Sequence, residues 1–221
     1  MFKWSCRIIA VLVIGSVLWV IAYRFINPPA TLTMVGSWMD GKSIHQEWMP
    51  LSRMDPNMAR AAIAAEDANF CSHWGFDLNA INQAFAKNLK GRKLRGGSTI
   101  SQQTAKNAFL WQGRSWLRKG LEAWFTVLIE LLWDKHRIMD VYLNIAETGI
   151  GTFGANAGAK RYFRHDASHL SRSEAARIAA ILPLPQKRAA IAPGGFTRRY
   201  GNNIVRRIGV VQHQGMDACL R

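Results

Sequence analysis

Acidic residues are scarce in this chain of 221 residues: 14 Asp and Glu stand against 29 Lys and Arg, a formal charge of +15. Such a chain should seek anions, whether nucleic acid, anionic lipid or a phosphorylated substrate, and charge alone does not choose among them. Cysteine is nearly absent. Cys6, Cys71 and Cys219 form an odd, scattered set with neither the even count of a disulfide framework nor the spacing of a metal site, so all three are expected to be free thiols. Period-2 alternation is missing as well, apart from a short stretch near residues 31–38, and there are no internal repeats. Hydrophobic residues make up 49% of the chain, which allows a packed core and argues against global disorder.

The apolar residues are concentrated first at the N-terminus. Residues 8–23, "IIAVLVIGSVLWVIAY", carry no charge and lie between Arg7 and Arg24. At about 1.5 Å per residue the stretch falls a little short of a hydrocarbon core of about 30 Å. Phe25 and Ile26 extend it if Arg24 snorkels, and Trp4, Trp19 and Tyr23 suit the interfacial belts. A cleaved signal peptide would need a small-x-small site, whereas "VIAYRFINPP" is bulky; an uncleaved signal-anchor is expected. Lys3 and Arg7 place its N-terminus in the cytoplasm and the rest of the chain across the inner membrane. Pro28 and Pro29 end the helix. The expected organisation is a cytoplasmic tip and transmembrane anchor over 1–27, a membrane-proximal linker over 28–49, and one domain over 50–221.

That domain reads as all-α. Asp55 caps a helix with Pro56 at its first position and Glu66 at its C-terminal end. Asp77 caps a second helix, closed by Gly91, and "KGRKLRGG" follows as a cationic loop. Ser98 begins "TISQQTAKNAFL"; "SWLRKGLEAWFTVLIELLW" has an apolar half suited to a buried central helix; Asp134 caps "KHRIMDVYLN". "ETGIGTFGANAG" reads as a loop entering another helix. Ser171 to Glu174 form a capping box before a helix stopped by Pro183, and a last amphipathic stretch runs from about Thr197 to Gln214.

Three stretches could carry chemistry. In "EDANFCSHWGFD", Glu66 closes a helix; on residue type alone such a carboxylate is most often surface decoration, although the helix dipole disfavours it there. In "GGSTISQQTAKN", paired glycines and a helix N-terminus suit an anion, Ser98 and Thr99 add hydroxyls, and Gln103, Lys106 and Asn107 share one helix face. In "RSWLRKGLEAW", Arg118 and Lys119 stand one turn before Glu122, which leads into an apolar run; if buried, it must be paired.

These stretches, with "KHRIMDVYLN", occur in the order and spacing of the peptidoglycan glycosyltransferases, glycosyltransferase family 51. They resemble that family's motifs E-D-x-x-F-x-x-H-x-G, G-x-S-T-I-x-Q-Q, R-K-x-x-E and K-x-x-I-x-x-x-Y-x-N, and the resemblance covers roughly residues 50–190. Too few residues follow for a penicillin-binding transpeptidase domain, so the likeness is to the monofunctional members.

The resemblance implies a lysozyme-like, two-lobed helical fold with residues near 80–96 in a mobile lobe beside the bilayer. It implies polymerisation of lipid II onto a nascent glycan strand by inverting β-1,4 transfer, with undecaprenyl pyrophosphate leaving. Glu66 would be the general base and Glu122 the second essential carboxylate. Lys106 and Arg114 would hold the pyrophosphate, supported by Arg118 and Lys119. Ser98, Thr99, Gln102, Gln103 and Asn107 would shape the cleft, and Asp67, Phe70 and His73 would brace the first motif. Lys135, Tyr142 and Asn144 match the fourth motif in a structural role. Gln83 stands where the family often has arginine. No cofactor is firmly implied; a divalent cation, Mg or Mn, could sit on the pyrophosphate. The implied partners are lipid II, the strand, the bilayer and other cell-wall synthesis proteins.

The nearest alternative is a lytic transglycosylase or lysozyme-type muramidase, which uses a glutamate as acid on a polymer without pyrophosphate. A membrane-tethered nucleic-acid binder is the alternative from another class, but the sequence has nothing like a recognition-helix module or an aromatic platform.

Overall fold

A computed structural model describes residues 2–79, 82, 97–113 and 115–221. In chain order the described helices are α1 (Phe2–Phe25), α2 (Leu32–Met39), α3 (Pro56–Glu66), α4 (Ile100–Phe109), α5 (Trp116–Leu132), α6 (Lys135–Ile145), α7 (Ala155–Phe163), α8 (Arg172–Ile181) and α9 (Gly195–His213). A small sheet of order β1-β3-β2 is formed by β1 (His45–Gln46), β2 (Glu147–Gly149) and β3 (Thr152–Phe153). β1 runs parallel to β3, pairing His45 with Thr152, and β2 runs antiparallel to it with an irregularity between Glu147 and Gly149.

The start signals act as the local chemistry requires. Asp55, Asp134 and Ser171 accept hydrogen bonds from the backbone of the helices they precede, and Ser171 and Glu174 complete a capping box. The helix of the second motif is capped by Thr99, not Ser98: Thr99 Oγ1 accepts from Gln102 N, and the Gln102 side chain reaches back to Thr99 N. Three expectations change. The alternation near residues 31–38 is α-helix α2, because Thr31 accepts from Met34 N at 3.2 Å while Leu32, Val35, Trp38 and Met39 line its exposed side. The glycine-rich stretch after α6 is a β-hairpin rather than plain loop. Cys71 and Cys219 are joined in a disulfide, with Cα atoms 5.5 Å apart, and only Cys6 of the three is a free thiol. Their separation of 148 residues explains why spacing gave no hint: the pairing exists only once the C-terminal turn lies on the loop after α3. Most of the helix expected from Asp77 to Gly91, the cationic loop and Gln83 lie outside the described residues; Leu78, Asn79 and Asn82 are helical.

Packing builds two layers that meet at the motifs. α3 is nearly all small side chains (Ala59, Ala61, Ala62 and Ala64 around Ile63), and α8 answers with Ala175, Ala176, Ala179 and Ala180, so the helices approach closely with α9 against both. α4 packs on α5 and α6, burying Phe109, Ile129, Ile138 and Tyr142. α1 is long and apolar enough to cross a bilayer, and its C-terminal half rests on α5. Trp133 Nε1 donates to Val20 O at 2.9 Å, Arg137 donates to the carbonyls of Tyr23 and Ile26, and Trp19 meets Phe109 edge-on at 5.4 Å. The anchor is thereby tied to the helices that carry the site.

Candidate active site

Helix α3 stops where its function begins. Asp67, with φ −157°, leaves the helical conformation, and its buried carboxylate accepts from Ile100 N at 2.9 Å and from His73 Nε2 at 2.9 Å. A carboxylate on the first N–H groups of α4 is favoured by the helix dipole. This bond locks the end of the first motif to the start of the second. Thr99 Oγ1 adds a bond to Gly75 O at 2.6 Å. Phe70 is fully buried with its ring edge-on to that of His73 at 6.4 Å, and Lys135 Nζ sits 4.8 Å above Phe70 while donating to His73 O and to Glu130. Asp67, Phe70 and His73 therefore form a brace, and Lys135 ties it to α6.

The brace fixes Glu66. Its Oε2 accepts from Gln103 Nε2 at 2.9 Å. The orientation of that amide is fixed by Tyr142, whose hydroxyl donates to Gln103 Oε1 at 3.4 Å. Burial, the largest influence, pushes the Glu66 carboxyl above the ordinary carboxylate value. The Gln103 bond and the charges of Arg188 and Lys106 pull it back, and Asp67 adds to the rise. A half-buried carboxylate of raised basicity, held by one amide, is equipped to take a proton from a hydroxyl.

One turn along α4, Lys106 shares with Gln103, Asn107, Tyr142 and Glu147 a cavity of about 180 Å³. Burial lowers the Lys106 pKa, as do Arg118 and Lys119, while Glu122 and Glu66 hold its charge. Lys106 thus stands electrostatically between the two glutamates. Glu122 is 3% exposed, and each of its oxygens is taken: Oε2 by Arg118 Nη1 at 3.1 Å, Oε1 by Lys119 Nζ. Arg118 Nε is buried with no hydrogen-bond partner among the described residues. The result is three cations gathered around one carboxylate, a site for an anion with several oxygens. Ser98 is exposed, and Gln102 is spent on the α4 cap. Arg114 lies outside the described residues.

Among the described residues no group of three or more His, Cys, Asp or Glu could hold a divalent ion by itself, and both Glu122 oxygens are engaged by cations.

Two residues not singled out in the sequence join the site. Arg188 follows α8; its Nη1 donates to Ala180 O at 2.6 Å, and its guanidinium lies 5.2 Å from the Phe196 ring and 5.9 Å from that of Tyr200. Tyr200 in turn donates to Ala65 O at 2.8 Å, next to Glu66. Glu147 faces the Lys106 cavity, accepts from Gln186 Nε2 at 3.1 Å, and is pushed above the usual carboxylate value chiefly by burial. Their signal in the sequence was weak, one arginine in a proline-rich turn and one acid in a glycine-rich stretch.

A family model described as Transglycosylase matches residues 33–208. A biosynthetic peptidoglycan transglycosylase of Caulobacter vibrioides is 51% identical over 210 residues, covering 95% of this chain and 92% of that protein. Proteins of the same description from Pseudomonas aeruginosa (52% over 191 residues, covering 84% of this chain and 82% of that protein) and Xanthomonas campestris (50% over 192, covering 84% and 78%) are similar.

Proposed function

The chain belongs to the transglycosylase family, and on that premise we propose that it is a peptidoglycan glycosyltransferase that lengthens glycan strands from lipid II. The observation that carries the reading is the juxtaposition of Glu66, held by Gln103, with Lys106 one turn along α4, whose charge is felt by Glu66 and which in turn faces Glu122, Arg118 and Lys119 of α5. Glu66 takes the proton from the acceptor hydroxyl. The oxygen attacks the anomeric carbon of the strand's reducing-end sugar, a β-1,4 bond forms, and the bond to pyrophosphate breaks in the same displacement, inverting the centre. The negative charge that grows on the leaving pyrophosphate is met by Lys106 and Arg118, with Glu122 fixing Arg118 and Lys119 in place. Arg114 is assigned to the same pyrophosphate by its motif. Ser98, Thr99, Gln102 and Asn107 shape the cleft, Thr99 and Gln102 through the cap of α4. No step is routed through a metal.

The cation cluster favours this reading over muramidase chemistry, which has no anionic leaving group to stabilise. A polyprenyl substrate cannot leave the bilayer without losing about 0.8 kcal/mol per CH₂, and α1, tied to α5, keeps the site at the membrane. We assign the domain to the periplasmic side. Lys3 and Arg7 support that orientation, and so does the Cys71–Cys219 disulfide, since such bonds persist in oxidising compartments. The test is Glu66→Gln with lipid II in vesicles: strand synthesis is expected to fall by at least about a hundredfold with the fold intact. Wild-type synthesis in that variant, or cleavage of isolated sacculi by the parent, would refute the function.

A further inference from the structure

A second cavity, of about 740 Å³ and open to solvent, is lined by Ile150 and Thr152 of the β2–β3 hairpin and by residues 42–47, and takes no part in the steps above. Its wall carries Lys42, His45, Lys160 and Arg161 against one acid, Glu47. Glu47 is taken by Lys160, and Lys42 reaches Asp40 only at 3.4 Å. One nitrogen of Arg161 is bound by Ile150 O at 2.8 Å and by the Thr152 hydroxyl, which fixes the guanidinium on the wall. A fork anchored at one nitrogen has lost little further freedom to lose on meeting a carboxylate.

One hairpin serves both cavities: Ile150 and Thr152 line this one, and Glu147 lines the Lys106 cavity. His45 N donates to Gly151 O at 2.8 Å, and the hairpin apex packs so closely on the 42–43 segment that a Cβ on Gly151 would lie 2.2 Å from Ser43 O. The charge of Lys42 acts on Glu147, which faces the Lys106 cavity. A sugar in the cleft therefore has a cationic chamber beside it. The relatives' product is, by its name, a glycan that bears peptides, and a peptide brings free carboxylates.

We propose that this cavity is an anion subsite that receives a carboxylate of the peptide carried by the sugar being joined, with Lys42 and Arg161 as its binding groups. The inference rests on the proposed function. A phospholipid phosphate has the same charge and fits the same fork, so the test separates the two sources. Lipid II, and lipid II with its peptide carboxylates amidated, are given to wild type, Lys42→Gln and Lys42→Gln/Arg161→Gln in zwitterionic vesicles with and without anionic lipid.

In wild type, amidation is expected to raise KM about fivefold, the worth of two partly exposed charge contacts. The double variant should show the same rise for unmodified lipid II, no further rise for the amidated form, and unchanged kcat. The single variant should show about half of that effect in free energy, a twofold rise. It keeps the test decisive if loss of Arg161 lowers the melting temperature through the hairpin. Equal KM for both substrates in wild type overturns the subsite. So does a KM change in the variants that is the same for both substrates and appears only with anionic lipid, which assigns the anion to a headgroup. Failure of wild type to polymerise either substrate instead refutes the function itself.

Discussion

Replacing Gln103 with Leu removes the one side-chain hydrogen bond that Glu66 receives among the described residues. The Gln103 amide donates to Glu66 Oε2 at 2.9 Å and is aligned for that by Tyr142. A hydrogen bond to a charged group contributes about 1.5–3 kcal/mol. Glu66 is only partly covered, so water replaces some of what is lost and the lower end applies. At about 1.4 kcal/mol per unit, the carboxyl should rise by about one pH unit. The sign is set by charge: the bond favours the ionised form, and Leu cannot make it, so the proton is held more tightly. The base must be ionised to act, so the acidic limb of kcat/KM for strand synthesis should move about one unit to higher pH. The high-pH plateau should be nearly kept. A limb that stays in place under a depressed plateau would mean that Gln103 serves the substrate rather than Glu66. A limb that moves to lower pH would refute the electrostatics of the site.

Lys106→Met should lower turnover by about 10²–10³ without loss of helical circular dichroism, because it removes a half-buried cation that is not part of the hydrophobic core; normal turnover would contradict its place at the leaving group. Gly75→Ala should destabilise the domain by about 2 kcal/mol in thermal melts, since φ is +76° and the new Cβ would lie 2.7 Å from Thr126 Cγ2 and 3.0 Å from Glu130 Cγ. Cys71→Ser should lower stability to denaturant by about 2–5 kcal/mol. In the denatured, unreduced parent only Cys6 should react with a thiol label, and three reactive thiols would dispose of the bridge.

Much of the site was legible because local rules place it. A cap at Asp55 with proline behind it fixes where α3 starts, and eleven residues later Glu66 ends it; three- and four-residue spacing on α4 puts Gln103, Lys106 and Asn107 on one face, although its cap is Thr99 and not the expected Ser98. The pairing of Glu122 with Arg118 and Lys119 follows from three- and four-residue spacing on α5. Charge-free residues 8–23 dictate an apolar helix wherever the rest of the chain goes. What spacing cannot encode is which distant segments touch. The Asp67 carboxylate on Ile100 N, the Arg188 guanidinium beside Phe196 and Tyr200, the Glu147 carboxylate in the Lys106 cavity and the bridge from Cys71 to Cys219 each join residues brought together only by packing α3, α4, α8 and α9 around a shared core. The sequence alone determined which side chains could carry the chemistry. Tertiary packing, which decides desolvation and the distance between charges, set how basic Glu66 is and what faces it.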